Sequence, residues 1–222
     1  MERRVPEVEF VPASDQPVPA ADPATGLPNA FLFWPIALVV VFIDVVTKAI
    51  AATALVPALI PHPVIGEFAR LTLVYNRGAA FGIHVGPYSR PIFALLTLGA
   101  LAILWRLYRT TEPTDRRRVI ALALVSAGAV GNLFDRVRSA RGVVDFIDIG
   151  SGSWRWPTFN VADVAVTTGA VLLAVVLWQE DRAAARAAGD RSSTAVRSDA
   201  TASDAGRVDG SVAGIAERGG IA

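Results

Sequence analysis

Two carboxylates in this chain sit where an acid is costly: Asp145, within Val143-Val144-Asp145-Phe146, and Asp163, within Phe159-Asn160-Val161-Ala162-Asp163 at the start of the last long apolar run. An acid in the first turn of a membrane-length helix is expensive to bury unless it is paired or put to use. If the two meet in a low-dielectric site they cannot both ionise, so one pKa rises and the pair holds a single proton. One carboxylate can then take a proton from water while the other protonates a carbonyl oxygen under attack, chemistry that suits peptide hydrolysis with neither a metal nor a covalent intermediate. A structural role is also open. With Asn160 as N-cap, Asp163 falls at the third helical position, where a carboxylate favours the helix dipole and bonds back to the cap, and Asp145 can be a solvated loop acid. The residue pattern leaves both readings standing.

The elements that must position these acids are membrane spans. The 222 residues are 53% hydrophobic, and the apolar residues gather in long runs between polar ends, the profile of a polytopic membrane protein. A formal net charge of +1 gives no argument for a nucleic-acid partner. Cysteine is absent, which excludes thiol nucleophiles and thiolate metal sites, and His62 and His84 lack a ligand-spaced third partner, so no metal or other cofactor is expected.

Four spans are expected, at about residues 31–55, 91–109, 119–134 and 161–178. Pro35 and Pro91 sit in the first turns of the first two, where a missing N–H costs nothing. Asp44 and Lys48 share one face of the first span as an i,i+4 ion pair. Along the third, Ala123, Ala127 and Gly131 recur every four residues and allow another helix to approach closely. Residues 1–29, rich in proline, and residues 180–222, rich in Ala, Arg, Asp, Ser and Gly, carry no apolar period and are expected to be disordered.

Between spans one and two, Leu71, Leu73 and Tyr75 alternate, and Asn76-Arg77-Gly78 offers turn chemistry before Ala79–Ile83, which can return as a second strand. Between spans three and four, the alternation over Val143–Ile149 predicts a strand with Asp145 and Asp148 on opposite faces. Trp154 and Trp156 suit the headgroup level. The fold class is thus all-α polytopic membrane protein, with a small β-sheet formed by the two long loops.

Four spans put both termini on one side. The far half of span one, both long loops, the far end of span three and the start of span four fall on the other, so Asp44, Lys48, Asn76, Asn132, Asp135, Arg136, Asp145, Asn160 and Asp163 converge on one membrane face. Arg3, Arg4, Arg106, Arg109 and Arg116–Arg118 lie on the terminal side and favour cytoplasmic termini, which makes the polar cluster extracytoplasmic.

Five stretches resemble, in order, the motifs of the lipoprotein signal peptidases, also called signal peptidase II: Asp44 with Lys48, Asn76-Arg77-Gly78-Ala79-Ala80-Phe81, Gly131-Asn132-Leu133-Phe134-Asp135-Arg136, Val144-Asp145-Phe146 and Phe159-Asn160-Val161-Ala162-Asp163. The resemblance covers about Phe31 to Trp178. It implies a bacterial inner-membrane aspartic endopeptidase that removes the signal peptide from prolipoproteins whose cysteine carries a diacylglyceryl group, cutting N-terminal to that cysteine. It makes Asp145 and Asp163 the catalytic pair. Asn76, Gly78, Asn132, Asp135, Arg136 and Asn160 become residues supporting the site and substrate, with Asp44 and Lys48 as the polar pair of the first helix. The implied partners are the prolipoprotein and membrane lipid, with no metal and no nucleic acid. The proline-rich head and the polar tail depart from the family pattern.

Two rivals compete. A Ser/Lys peptidase could use Ser126 and Lys48, since a desolvated lysine can activate a serine; Ser126, however, lies on the small-residue face. A transporter could use the buried charges as a pathway, but no charge follows Asp163 within span four.

Overall fold

A computed structural model describes the backbone of residues 27–78 and 86–216 and the side-chain surroundings of 29–78 and 86–189. The proline-rich head up to residue 26, the anticipated return strand at 79–83 and His84 lie outside the described residues.

Four helices form the body: α1 (Leu27–Ala54), α2 (Ser89–Arg109), α3 (Arg116–Arg138) and α4 (Val161–Ala216). All four contain a stretch long and apolar enough to cross a membrane. Their outer faces expose Phe31, Phe42, Leu95, Ile103 and Val171. Large apolar side chains facing outward along whole helices are at home in hydrocarbon, and the chain is a multi-pass membrane protein.

Helix α1 starts earlier than anticipated, which places Pro35 inside the helix rather than in its first turn. The extra turn is held by the buried Asn29, whose Nδ2 donates to the Thr111 carbonyl at 3.0 Å beyond the end of α2. Asp115 caps α3 by accepting from Arg118 N at 3.0 Å, so α3 too begins before the expected residue 119. Helix α4 runs to Ala216, where the polar composition had pointed to a structureless tail. Its 180–189 segment is exposed throughout, and Ala and Arg, both strong helix formers, extend the backbone without needing an apolar face.

Helix α3 is the central one. Ala123, Ala127 and Gly131 are all buried, as their four-residue spacing requires. A Cβ on Gly128 would meet the Ala162 carbonyl, and one on Gly131 would meet the Asp44 carboxylate, so the backbone at the start of α4 and a buried side chain of α1 lie directly against α3. At the other end of the bundle Val119 and Leu122 pack with Phe33, Leu104 and Tyr108.

The two long loops form one antiparallel sheet in the order β1 (Pro61–Ile65), β2 (Ala69–Asn76), β3 (Val143–Ser151), β4 (Trp154–Arg155). The hairpin partner of β2 is therefore the upstream β1, joined through Gly66-Glu67-Phe68, and Asn76-Arg77-Gly78 leads away from the sheet. Gly66, at φ 49°, supplies the left-handed turn that the alternation alone did not locate. Leu73, Val144 and Phe146 pack on Ala51 of α1 and on Leu55 just past its end, which seats the sheet on the end of the bundle.

Candidate active site

Asp163 is held by the end of its own helix. Its backbone N–H donates to Asn160 Oδ1 at 3.0 Å, while the Asn160 N–H donates to Asp163 Oδ2 at 3.2 Å, a reciprocal capping box. The capping role that the sequence allowed is real, and it occupies one oxygen. The other, Oδ1, accepts from Asn132 Nδ2 at 2.8 Å. Capping and site membership coexist because a carboxylate has two oxygens.

Asp145 is far from a solvated loop acid, being only 3% exposed. Its strand is zipped to the chain just before α4: Phe146 and Ile147 donate their N–H groups to the Phe159 carbonyl at 3.0 and 2.8 Å. That pairing brings Asn160 beside Asp145, where its Nδ2 donates to Asp145 Oδ1 at 2.7 Å; Asn76, closing β2, donates to Oδ2 at 3.1 Å. Burial, and then the charge of Asp163, push the Asp145 carboxyl up to about 7 against the two amide donors that favour its ionised form.

Behind the acids, Lys48 Nζ lies 2.8 Å from Asp44 Oδ2 and 3.0 Å from Asp135 Oδ2, and donates to Asn132 Oδ1 at 2.9 Å. Asn160 Nδ2 also donates to Asn132 Oδ1, at 3.1 Å. With its oxygen claimed twice, the Asn132 amide must present its NH2 to Asp163. The remaining Asp44 oxygen accepts from the Ala162 N–H at 2.8 Å and so pins the first turn of α4 to α1, while Asp135 accepts from Val144 N at 3.2 Å and ties α3 to β3. Arg136 spans from its own helix to the Gly78 carbonyl at 3.1 Å. All ten site residues singled out in the sequence therefore fall into one connected assembly.

Others were missed. Arg90, at the start of α2, donates to the carbonyls of Arg136 and Val137; a lone arginine in a loop carries no sequence signal for this. Thr167 lies beside Asp163 on the wall of the cavity, and its four-residue spacing from Asp163 could have revealed it. Asp145 and Asp163 both line this cavity of about 280 Å³, together with Asn132, Arg136, Trp156 and Phe159. A second recess of about 270 Å³ continues from Asp163 along Val164, Thr167 and Thr168 of α4. The site thus opens towards the membrane-facing side of α4.

Asp148 faces away, as alternation requires, into a pair of arginines: Arg155 Nε at 2.6 Å and Arg70 Nη2 at 3.0 Å, with the Thr72 hydroxyl also donating at 3.0 Å. Burial alone would raise this carboxyl, but the donors from Arg155, Arg70 and Thr72 outweigh it and hold it below the usual range. Its stabilising share is present above the unfolded pKa and lost as pH falls through the lowered one. Asp148→Asn should cost roughly 1.5–3 kcal/mol of stability without touching the cavity; thermal unfolding at pH 7 checks this. The Lys48 ammonium is taken up by two carboxylates and an amide oxygen, and Ser126 is not one of its partners, which removes the support for a Ser/Lys pair.

A family model described as Signal peptidase (SPase) II matches residues 36–179, a stretch that holds every residue of the assembly. A lipoprotein signal peptidase of Desulforapulum autotrophicum is 45% identical over 144 residues, covering 62% of this chain and 85% of that protein. One from Hydrogenovibrio crunogenus is 39% identical over 156 residues, covering 66% and 86%. Two solved structures, described as bacterial membrane enzymes determined by the in meso method at 2.3 and 1.9 Å, align with TM-scores of 0.61 and 0.58 at 34% and 35% identity. They cover 67% and 65% of this chain, and 88% and 90% of their own. Because the matched region runs from α1 through α4 and takes in the sheet and the buried network together, the chain belongs to the signal peptidase II family of membrane proteases.

Proposed function

We propose that this protein removes the signal peptide from diacylglyceryl-modified prolipoproteins, cutting N-terminal to the lipidated cysteine, with Asp145 and Asp163 as the catalytic pair. The observation that carries this reading is two carboxylates of unequal surroundings on one cavity. Asp145 is the proton donor: buried, beside the charge of Asp163, it is pushed up to about 7. Asp163, at a helix N-terminus and bonded by Asn132, is the base. Asp163 takes a proton from water as its oxygen bonds to the scissile carbonyl carbon, and Asp145 gives its proton to the carbonyl oxygen. Collapse of the tetrahedral intermediate breaks the C–N bond, the amine leaves with the proton from Asp163, and Asp145 regains its own from the collapsing hydroxyl.

The recess along α4 would let acyl chains beside the scissile bond stay in hydrocarbon while that bond reaches the pair. In this reading the termini are cytoplasmic and the sheet is extracytoplasmic. Purified protein incubated with diacylglyceryl prolipoprotein should release the signal peptide, and the unmodified precursor should be cleaved far more slowly; equal cleavage of both would remove the lipid from the reading.

The proton on Asp145 gives a pH dependence with a definite sign. As a donor it works protonated, so kcat should fall as pH rises through about 7. Asn76 favours the ionised form, so Asn76→Ala should move that alkaline limb to higher pH while lowering kcat. A pH–rate profile of both proteins decides it, and a limb that stays in place or moves down contradicts the assignment of Asp145 as donor.

A further inference from the structure

On the other side of α3 and β3 from the catalytic cavity lies a recess of about 230 Å³ that none of the proposed chemistry uses. One wall is the apolar face of α1 at Val45, Ala49 and Ala52. The opposite rim carries Arg138 and Arg141, both exposed. Neither has a carboxylate partner among the described residues, and each is braced by a ring: Arg138 lies 5.9 Å from the centroid of Phe134, and Arg141 4.4 Å from that of Tyr75. Stacking holds a guanidinium plane while leaving its N–H edge free for a planar or tetrahedral anion. At the floor, the Asp135 carboxylate is paired with Lys48 at 3.0 Å, so among the described residues the charges facing the recess without an ion-pair partner are those of Arg138 and Arg141.

We propose that this recess binds the headgroup of an anionic membrane phospholipid from the leaflet on the sheet side. The ligand class follows from position as well as charge. Val45, Ala49, Ala52 and Phe134 belong to membrane-spanning helices, so the recess opens against hydrocarbon, which a soluble anion would have to enter. Phe134, Ile50 and Val137 are exposed on α1 and α3 and offer an apolar surface for the chains. A lipid phosphate at the arginines, with chains lying down the helices, satisfies both halves at once. The inference does not depend on the peptidase reading, because no residue of the catalytic cavity contacts the proposed headgroup.

The test is native mass spectrometry of the full-length protein released from nanodiscs of mixed phosphatidylglycerol and phosphatidylcholine. Wild type should retain phosphatidylglycerol in preference to phosphatidylcholine. Removing each arginine should cut that preference about fivefold, the effect of one basic residue near an anionic surface, so Arg138→Gln with Arg141→Gln should largely abolish it. Arg117→Gln, on the terminal side, should leave it intact. If the double variant does not fold, Ala52→Leu, which fills the recess without altering charge, must produce the loss instead. Equal retention of both lipids by wild type, undiminished preference in the variants, or displacement of phosphatidylglycerol by inorganic phosphate at matching concentration would overturn the proposal, the last in favour of a soluble-anion site.

Discussion

Asp163→Asn is expected to lower prolipoprotein cleavage by about 10³-fold or more, the scale for loss of a general base that acts as a unit with its partner, while leaving the protein folded. The substitution keeps the shape of the side chain and an oxygen able to accept from the Asn160 N–H, so the cap survives. What is lost is the charge, the basicity and the second oxygen, which accepts from Asn132 Nδ2. Asp145→Asn should be as damaging to turnover and opposite in its effect on stability. A raised native pKa means that stability is fully present below the unfolded value and lost as pH rises through about 7, when the buried carboxyl must ionise beside Asp163. Asparagine never pays that cost, so Asp145→Asn should melt above wild type at pH 8 and show no such decline. A variant that is inactive but also less stable at every pH would mean that Asp145 is there for structure. The two measurements together, cleavage and unfolding against pH, separate a catalytic acid from a structural one.

Lys48→Met should produce the largest loss of stability of any single change in the assembly, roughly 3–5 kcal/mol, the range for breaking a buried ion pair from one side. The side chain is 4% exposed and answers two carboxylates, Asp44 and Asp135, with Asn132 as a third partner. Removing it strands both charges between α1 and α3 and leaves the Asn132 oxygen with Asn160 alone as donor, which weakens the hold on the amide that faces Asp163. Thermal unfolding in detergent should show the loss, and kcat should fall in whatever protein remains folded. Pairing Lys48→Met with Asp44→Asn removes one stranded charge and should recover part of the stability. If the double variant is no more stable than the sum of the single changes predicts, the buried charges are not coupled as the distances indicate.

Much of this protein was legible from its chain because membranes impose few solutions. Long apolar runs located four helices, the four-residue recurrence of Ala123, Ala127 and Gly131 identified the face of α3 that others pack against, and strand alternation separated Asp145 from Asp148. The capping box at Asn160 and Asp163 was written in their spacing. These are local regularities, and each depends only on residues within a turn or a strand of one another.

What spacing could not carry was decided by long-range pairing. β2 turned out to lie between β1 and β3, and Asp148 proved to be a buried anchor for Arg70 and Arg155. Asn160 shows the difference most clearly. Its sequence position makes it a helix cap, but only the pairing of β3 with Phe159 swings its amide onto Asp145, and only the packing of α3 brings Asn132 between it and Lys48. The sequence by itself determined which residues are polar in an apolar chain and that they gather at one end of the four spans, because burial cost and helix length depend on residue type alone. The tertiary structure decided which carboxylate is deprived of water and which is held in a capping box at a helix end beside Asn132, because that depends on neighbours many residues away.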